Sequence, residues 1–173
     1  MPFLLIPLLA PGKQTVVTWL VGLFIVLVGE LIRTCGVAAA GTVTRRRSRD
    51  VQRLVTYGIF SWCRNPLYLG NLLIWVGFTV VSGVHWFIIP AILIFSIEYT
   101  LIVRYEEGVL ESIFVDEYLA YKKRTPRWIP RSPVEVQRGP HDWKEAILSE
   151  RSTLLQYMAL SAAFLVKHWY TTL

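Results

Sequence analysis

The sequence predicts an all-α protein, an integral membrane helical bundle of about four transmembrane helices, and three observations predict it. The 173-residue chain is 54% hydrophobic and only 17% charged, more apolar than a soluble domain of this size sustains. Its apolar residues gather into Thr15 to Ile32, Leu67 to Val81, Trp86 to Val103 and Thr153 to Tyr170. Each stretch crosses or nearly crosses a hydrocarbon core of roughly 30 Å. Arginine and lysine collect beside these stretches, as expected for loops held at an anionic membrane surface.

Residues 1–14 come first. Met1 to Ala10 is apolar, but Pro2, Pro7 and Pro11 rule out a regular spanning helix. Without the basic start and small-residue cleavage site of a secretory signal, it is expected to be an interfacial lead-in. The first span follows from Thr15, with Gly22 and Gly29 suited to close helix packing. Arg45, Arg46, Arg47, Arg49 and Arg53 come directly after it. The net charge of +6 thus sits where positive-inside bias explains it, and nucleic-acid binding is not expected.

The next two spans are joined only by Ser82, Gly83, Val84 and His85, so residues 67–103 should form an antiparallel helical hairpin. This brings Tyr68 near Arg104. Val103, Leu110, Phe114 and Tyr118 continue at helical spacing, predicting a helix that leaves the bilayer as an amphipathic one and ends before Pro126. Thr125 to Pro130 reads as extended chain. Residues 131–152 are expected to be a linker, with Trp143 to Arg151 a short amphipathic or irregular entry to the last span, and 153–173 an additional C-terminal transmembrane helix. With the second basic group, Lys122, Lys123, Arg124, Arg127 and Arg131, the pattern predicts a multi-pass protein. Both basic regions, and the site between them, face the cytosol, and both chain ends lie on the opposite face.

Few residues can do chemistry. Glu30 and Glu98 lie at membrane depth, where a carboxylate needs a partner or a wet cavity; Glu30 has a local alternative in an ion pair with Arg33. Cys35, Cys63, His85, His141 and His168 show no ligand spacing, so no metal is predicted. Arg64 and Tyr68 stand where a polar segment meets the apolar run. Glu106 and Glu107 are adjacent and so point about 100° apart on a helix. The hairpin puts these groups at one level of the membrane, as an arginine, a tyrosine and a carboxylate around a cavity open to cytosol and lipid.

The stretch Tyr57-Gly58-Ile59-Phe60, then Arg64-Asn65-Pro66-Leu67-Tyr68-Leu69-Gly70, resembles the Gly-Pro-Tyr and Arg-His-Pro-x-Tyr-x-Gly segment of the isoprenylcysteine carboxyl methyltransferase and phospholipid methyltransferase superfamily. Glu106-Glu107, Leu110, Phe114, Glu117-Tyr118, Tyr121, Arg124, Pro126-Arg127 and Ile129-Pro130 resemble its carboxy-terminal pattern. The resemblance covers about residues 15–130, a membrane methyltransferase-like core. It implies S-adenosylmethionine as cofactor and methylation of a lipidic acceptor from the bilayer. Carried over by position, it implies Gly58, Asn65, Pro66, Tyr68, Gly70, Arg104, Glu106 and Glu107 as cofactor-binding and Arg64, Tyr68 and Glu107 as catalytic.

Three positions depart from the pattern. Asn65 stands for histidine, Ile59-Phe60 for Pro-Tyr, and Val115 for the glycine after Phe114. Asparagine cannot carry a proton's charge, so a proton-transfer role at that position is not expected. A prenylated cysteine carboxylate, an amino-phospholipid headgroup and a small amphiphile are all admissible acceptors. The competing expectations are a nicotinamide-dependent sterol-type membrane reductase, disfavoured because Asn71 rather than an acidic residue follows Gly70, and a non-catalytic membrane adaptor that has kept the fold. The sequence specifies no oligomeric state.

Overall fold

A computed structural model describes residues 4–41, 53–133 and 137–172, and among them every regular element is helical. Arg45, Arg46, Arg47 and Arg49 lie outside the described residues. The helices are α1 (Leu5–Leu9), α2 (Val16–Ala40), α3 (Pro66–Val81), α4 (Ile88–Arg124) and α5 (Trp143–Thr172), with 3₁₀ turns at Gly58–Ser61 and His85–Phe87. Two helical segments, Val16–Ala40 and His85–Arg124, are long and apolar enough to cross a membrane, and Pro66–Val81 is apolar but shorter. By length and composition, two of the four expected spans meet the requirement. The C-terminal helix does not, because Lys167 and His168 follow its apolar stretch and Glu150 and Arg151 precede it.

α2 starts at a reciprocal cap, in which Thr15 and Thr18 each accept the other's backbone N–H at 2.9 and 3.2 Å. It runs past the predicted end at Ile32 as far as Ala40. The polar residues beyond Ile32 do not stop it, since Arg33 is held by partners on other helices and residues 36–40 are buried.

Glycines fix how α2 meets α3. Gly22, Gly29 and Gly36 recur every seven residues on one α2 face and meet Gly77, Gly70 and Leu67 in antiparallel order. A Cβ on Gly22 would lie 2.6 Å from the Gly77 carbonyl oxygen, and one on Gly29 2.7 Å from that of Gly70. The two backbones therefore touch, as in small-residue membrane interfaces. Next to this seam Val26, Ile74, Phe78 and Val81 form the main core with Leu4, Tyr157 and Phe164. α5 thus packs on the α2–α3 pair, and Lys167 Nζ donates to the carbonyls of Pro7 and Ala10, both at 2.7 Å, tying α1 to it.

Two expectations change here. α5 begins at Trp143, ahead of its apolar stretch, so the second half of the predicted linker is helical. Asp142 supplies the start signal, its Oδ1 accepting from Glu145 N at 2.8 Å. The amphipathic continuation of α4 is also not straight. Val115 has φ 31° and ψ −102°, a break inside the helix. A straight helix would separate Glu111 and Lys122 by about 16 Å along its axis, yet their side chains pair at 2.8 Å. The bend folds residues 116–124 back toward the start of α3.

Candidate functional site at the start of α3

The chain entering α3 is strapped to the chain leaving α4. Arg64 N donates to Pro126 O at 2.9 Å and Arg131 N to Trp62 O at 3.0 Å. Tyr121 OH donates to Phe60 O at 2.7 Å. The Cys63 thiol donates to the carbonyls of Arg127 and Trp128, both at 3.3 Å; burial pushes its pKa up, so it is a packed donor and not a nucleophile. Pro66 occupies the first turn of α3, where its missing N–H costs nothing.

These straps assemble a charged cluster around Glu107, which is 5% exposed. Arg64 Nε meets Glu107 Oε1 at 3.0 Å, and Arg127 Nη2 meets Oε2 at 2.6 Å. Arg64 also donates through Nη1 to the carbonyls of Lys122 at 3.1 Å and Thr125 at 3.0 Å. Asn65 Nδ2 donates to Arg127 O at 3.1 Å and reaches Glu107 Oε1 at 3.5 Å. A carboxylate with two guanidiniums is well compensated despite its burial, and the Asn65 side-chain amide enters the cluster as a donor.

One residue earlier, Glu106 points the other way. It is exposed, and its Oε1 accepts from Tyr68 OH at 2.7 Å. The Tyr68 ring lies against Tyr99, which stacks on Phe95, with centroids 4.9 and 4.0 Å apart. Arg104 is also exposed on this part of α4. The expected divergence of Glu106 and Glu107 is therefore what separates an inward, saturated carboxylate from an outward one.

Other predicted residues lie elsewhere. Gly58, at φ +59°, makes room for His141: a Cβ there would sit 2.7 Å from its Nε2. Gly70 belongs to the α2–α3 seam. Glu98 is exposed on α4 beside Ile97 and Leu101. Glu30 pairs with Arg33 at 3.5 Å and accepts from Tyr157 OH at 3.0 Å, the local alternative extended to α5. Arg33 further donates to Asn71 and, at 3.3 Å, to both oxygens of Glu150. Arg127 is a cluster member that its sequence context hides: it stands in the Pro126-Arg127 pair of the carboxy-terminal pattern, but among Lys122, Lys123, Arg124 and Arg131 it reads as a membrane-surface charge.

The sequence pattern of the phospholipid methyltransferase family matches residues 15–117, a region that carries α2, α3 and most of α4 with Arg64, Tyr68, Glu106 and Glu107. The protein-S-isoprenylcysteine O-methyltransferase of Xenopus laevis is 33% identical over 133 residues, and that of Homo sapiens 33% over 132, each covering 66% of this chain. A cobalt-zinc-cadmium resistance protein of Cupriavidus metallidurans is 32% identical over 124 residues, 67% of this chain and 56% of its own length. The chain spans 42% of the length of the two isoprenylcysteine methyltransferases. With a family pattern matching more than half of its residues and its two motifs joined in space at Glu107, this chain belongs to the phospholipid methyltransferase family.

Proposed function

We propose that the protein is an integral membrane methyltransferase that uses S-adenosylmethionine to methylate a lipidic or amphiphilic acceptor reaching it from the bilayer. The observation that supports this is the closing in space of the two motifs that resemble the superfamily. Arg64 and Asn65 of the first motif and Arg127 of the second close on Glu107, and Tyr68 reaches Glu106.

The residues present fit the cofactor. Its amino-acid part carries an ammonium, for which the outward Glu106 carboxylate of α4 is the complement, as it is for ribose hydroxyls. Arg104, about 200° round the helix from Glu106, stands on another face. When bound, the cofactor supplies an activated methyl on a sulfonium, whose sulfur would leave as a neutral thioether. Alignment and exclusion of water then matter more than acid–base help. Glu107 and Arg64, with their partners already in place, would serve as positioning residues that hold the loop before α3 against the chain after α4. This moves the direct contact from Glu107 to Glu106.

The same reading makes the protein multi-pass, with the site toward the cytosol. An acceptor that is already a carboxylate needs no base here, which suits the absence of histidine at position 65. Titration calorimetry of purified protein with S-adenosylmethionine, followed by transfer of labelled methyl to N-acetyl-S-farnesylcysteine and to phosphatidylethanolamine, tests the proposal. Saturable binding with transfer to one acceptor is the expected result. Failure to bind S-adenosylmethionine would overturn it, and binding without transfer to either would overturn the assigned acceptor class.

A further inference from the structure

A series of polar and aromatic side chains runs from α2 and α5 to the Tyr68–Glu106 pair. Its hub is Asn71, the residue that follows Gly70 of the first motif. Arg33 donates through Nη1 to Asn71 Oδ1. With its oxygen so engaged, Asn71 keeps its amide N–H for the Tyr99 phenol, its other side-chain hydrogen-bond partner. We propose that Asn71 and Tyr99 are positioning residues for the cofactor: anchored on Arg33, they fix the Tyr68 ring and so hold the Tyr68–Glu106 pair in place. The inference rests on the methyltransferase function proposed above.

The anchor is fixed from more than one helix. The Arg33 side chain is 14% exposed and lies between Glu30 of its own helix, at 3.5 Å, and Glu150 of α5, at 3.3 Å, itself 2% exposed. Two carboxylates on one buried guanidinium leave it little freedom. Gly70 lets the Arg33 stem pass between α2 and α3, since a Cβ there would lie 2.6 Å from Arg33 Cγ. Asn71 thus meets a donor whose place is set, and its own amide is oriented by it.

At the other end the groups share one face of α4. Tyr99 and Glu106 are seven residues apart, within about 20° of each other round the helix and roughly 10 Å apart along it. Tyr68 spans that interval, its ring against Tyr99 with centroids 4.9 Å apart and its hydroxyl on Glu106 at 2.7 Å. Tyr99 stacks in turn on Phe95 at 4.0 Å, and Phe95 meets Trp75 edge-on at 5.5 Å, both of them buried. Ring contacts tolerate a range of offsets, whereas a hydrogen bond is directional. The bond to Asn71 therefore removes the sliding freedom that the stack leaves to Tyr99.

A tie that only held helices together would use the same bonds, but the two roles control different quantities. Removing the Tyr99 hydroxyl leaves the ring stack and the Arg33 ion pairs intact, so a structural tie predicts a small loss of stability and no change in binding. In the positioning role the loss appears at the end of the series, where Tyr68 meets the exposed Glu106 and not the packed core. Cofactor affinity then falls although the fold is kept.

The test uses the full-length protein in phosphatidylcholine nanodiscs, with calorimetric binding of S-adenosylmethionine and, in a second preparation, fluorotyrosine in place of Tyr68. Tyr99→Phe and Asn71→Leu are each expected to weaken binding about fivefold, the worth of one hydrogen bond, and to mobilise the Tyr68 ring as read by fluorine relaxation. The double variant should bind no more weakly than Asn71→Leu alone, because both changes cut one path. Additive losses, or a lower unfolding temperature with unchanged affinity and ring motion, would overturn the proposal. No binding of S-adenosylmethionine by the parent protein, with Tyr68 still mobilised in both variants, would sink the methyltransferase reading and leave the positioning role. Binding by the parent, with affinity and ring motion unchanged in both variants, would do the reverse.

Discussion

At Glu107 one carboxylate meets two guanidiniums, and the burial of each partner ranks what they contribute. The Arg64 side chain is 9% exposed and that of Arg127 34%, so the Arg64 pair is the less screened. Removing the charge leaves buried Arg64 uncompensated, which costs about 3–5 kcal/mol for a buried pair. Glu107→Gln is therefore expected to lower the unfolding temperature of the detergent-solubilised protein sharply. Glu106→Gln should leave that temperature alone and weaken S-adenosylmethionine binding about tenfold, the worth of a charge-assisted hydrogen bond. Equal thermal effects from the two would show that their roles had not separated. Val115 is a second such residue. Its φ of 31° is unfavourable for a β-branched side chain, by about 1–3 kcal/mol. Glycine gives back roughly 0.5–1 kcal/mol through unfolded-state entropy, so Val115→Gly should stabilise by about 1 kcal/mol in reversible unfolding, and a loss would contradict the strain.

Among elements, the α2–α3 seam decides the packing. Replacing Gly29 by alanine gains helix propensity of about 1 kcal/mol but drives a methyl to 2.7 Å from the Gly70 carbonyl and 3.1 Å from Leu73 Cβ. Neither is the loose end of a flexible chain, so overpacking of about 1–3 kcal/mol wins. Gly29→Ala is expected to destabilise. Gly108, on exposed α4 with nothing within 4 Å of its added Cβ, should show the propensity gain alone, and Gly108→Ala should stabilise. Denaturant or thermal unfolding of both variants in one detergent checks the opposite signs. The outer face of α4 behaves differently again, with Ile89, Leu93, Ile97 and Leu101 all exposed, as a helix facing lipid would leave them.

For the whole molecule, the straps place residues 58–64, 126–131 and 137–142 at one end of the bundle, while Gly83 packs on the backbone of Lys13 at the other. We expect single cysteines at Ser132 and Lys13 to be labelled from opposite sides of the membrane, with Ser132 accessible from the cytosol. Impermeant maleimide applied to right-side-out and inverted vesicles checks this. Labelling of both from one side would overturn the topology.

The sequence by itself determined the helical class, the apolar segments, the short turn after α3 and the residues that carry the family pattern. Each is written in local composition or spacing, which the chain cannot change by folding. It also carried the heptad of Gly22, Gly29 and Gly36, although only the partners Gly77 and Gly70 show what that repeat is for. The tertiary structure alone decided that Glu107 faces inward and Glu106 outward, that Arg127 joins Arg64, and that Glu150 and Tyr157 reach Arg33 and Glu30 across more than a hundred residues. It decided too that Val115 bends α4. These are long-range pairings, and which charge meets which depends on helix rotation and on one broken dihedral. A change of about 100° per residue redirects a side chain completely, whereas the apolar pattern that makes a helix survives it.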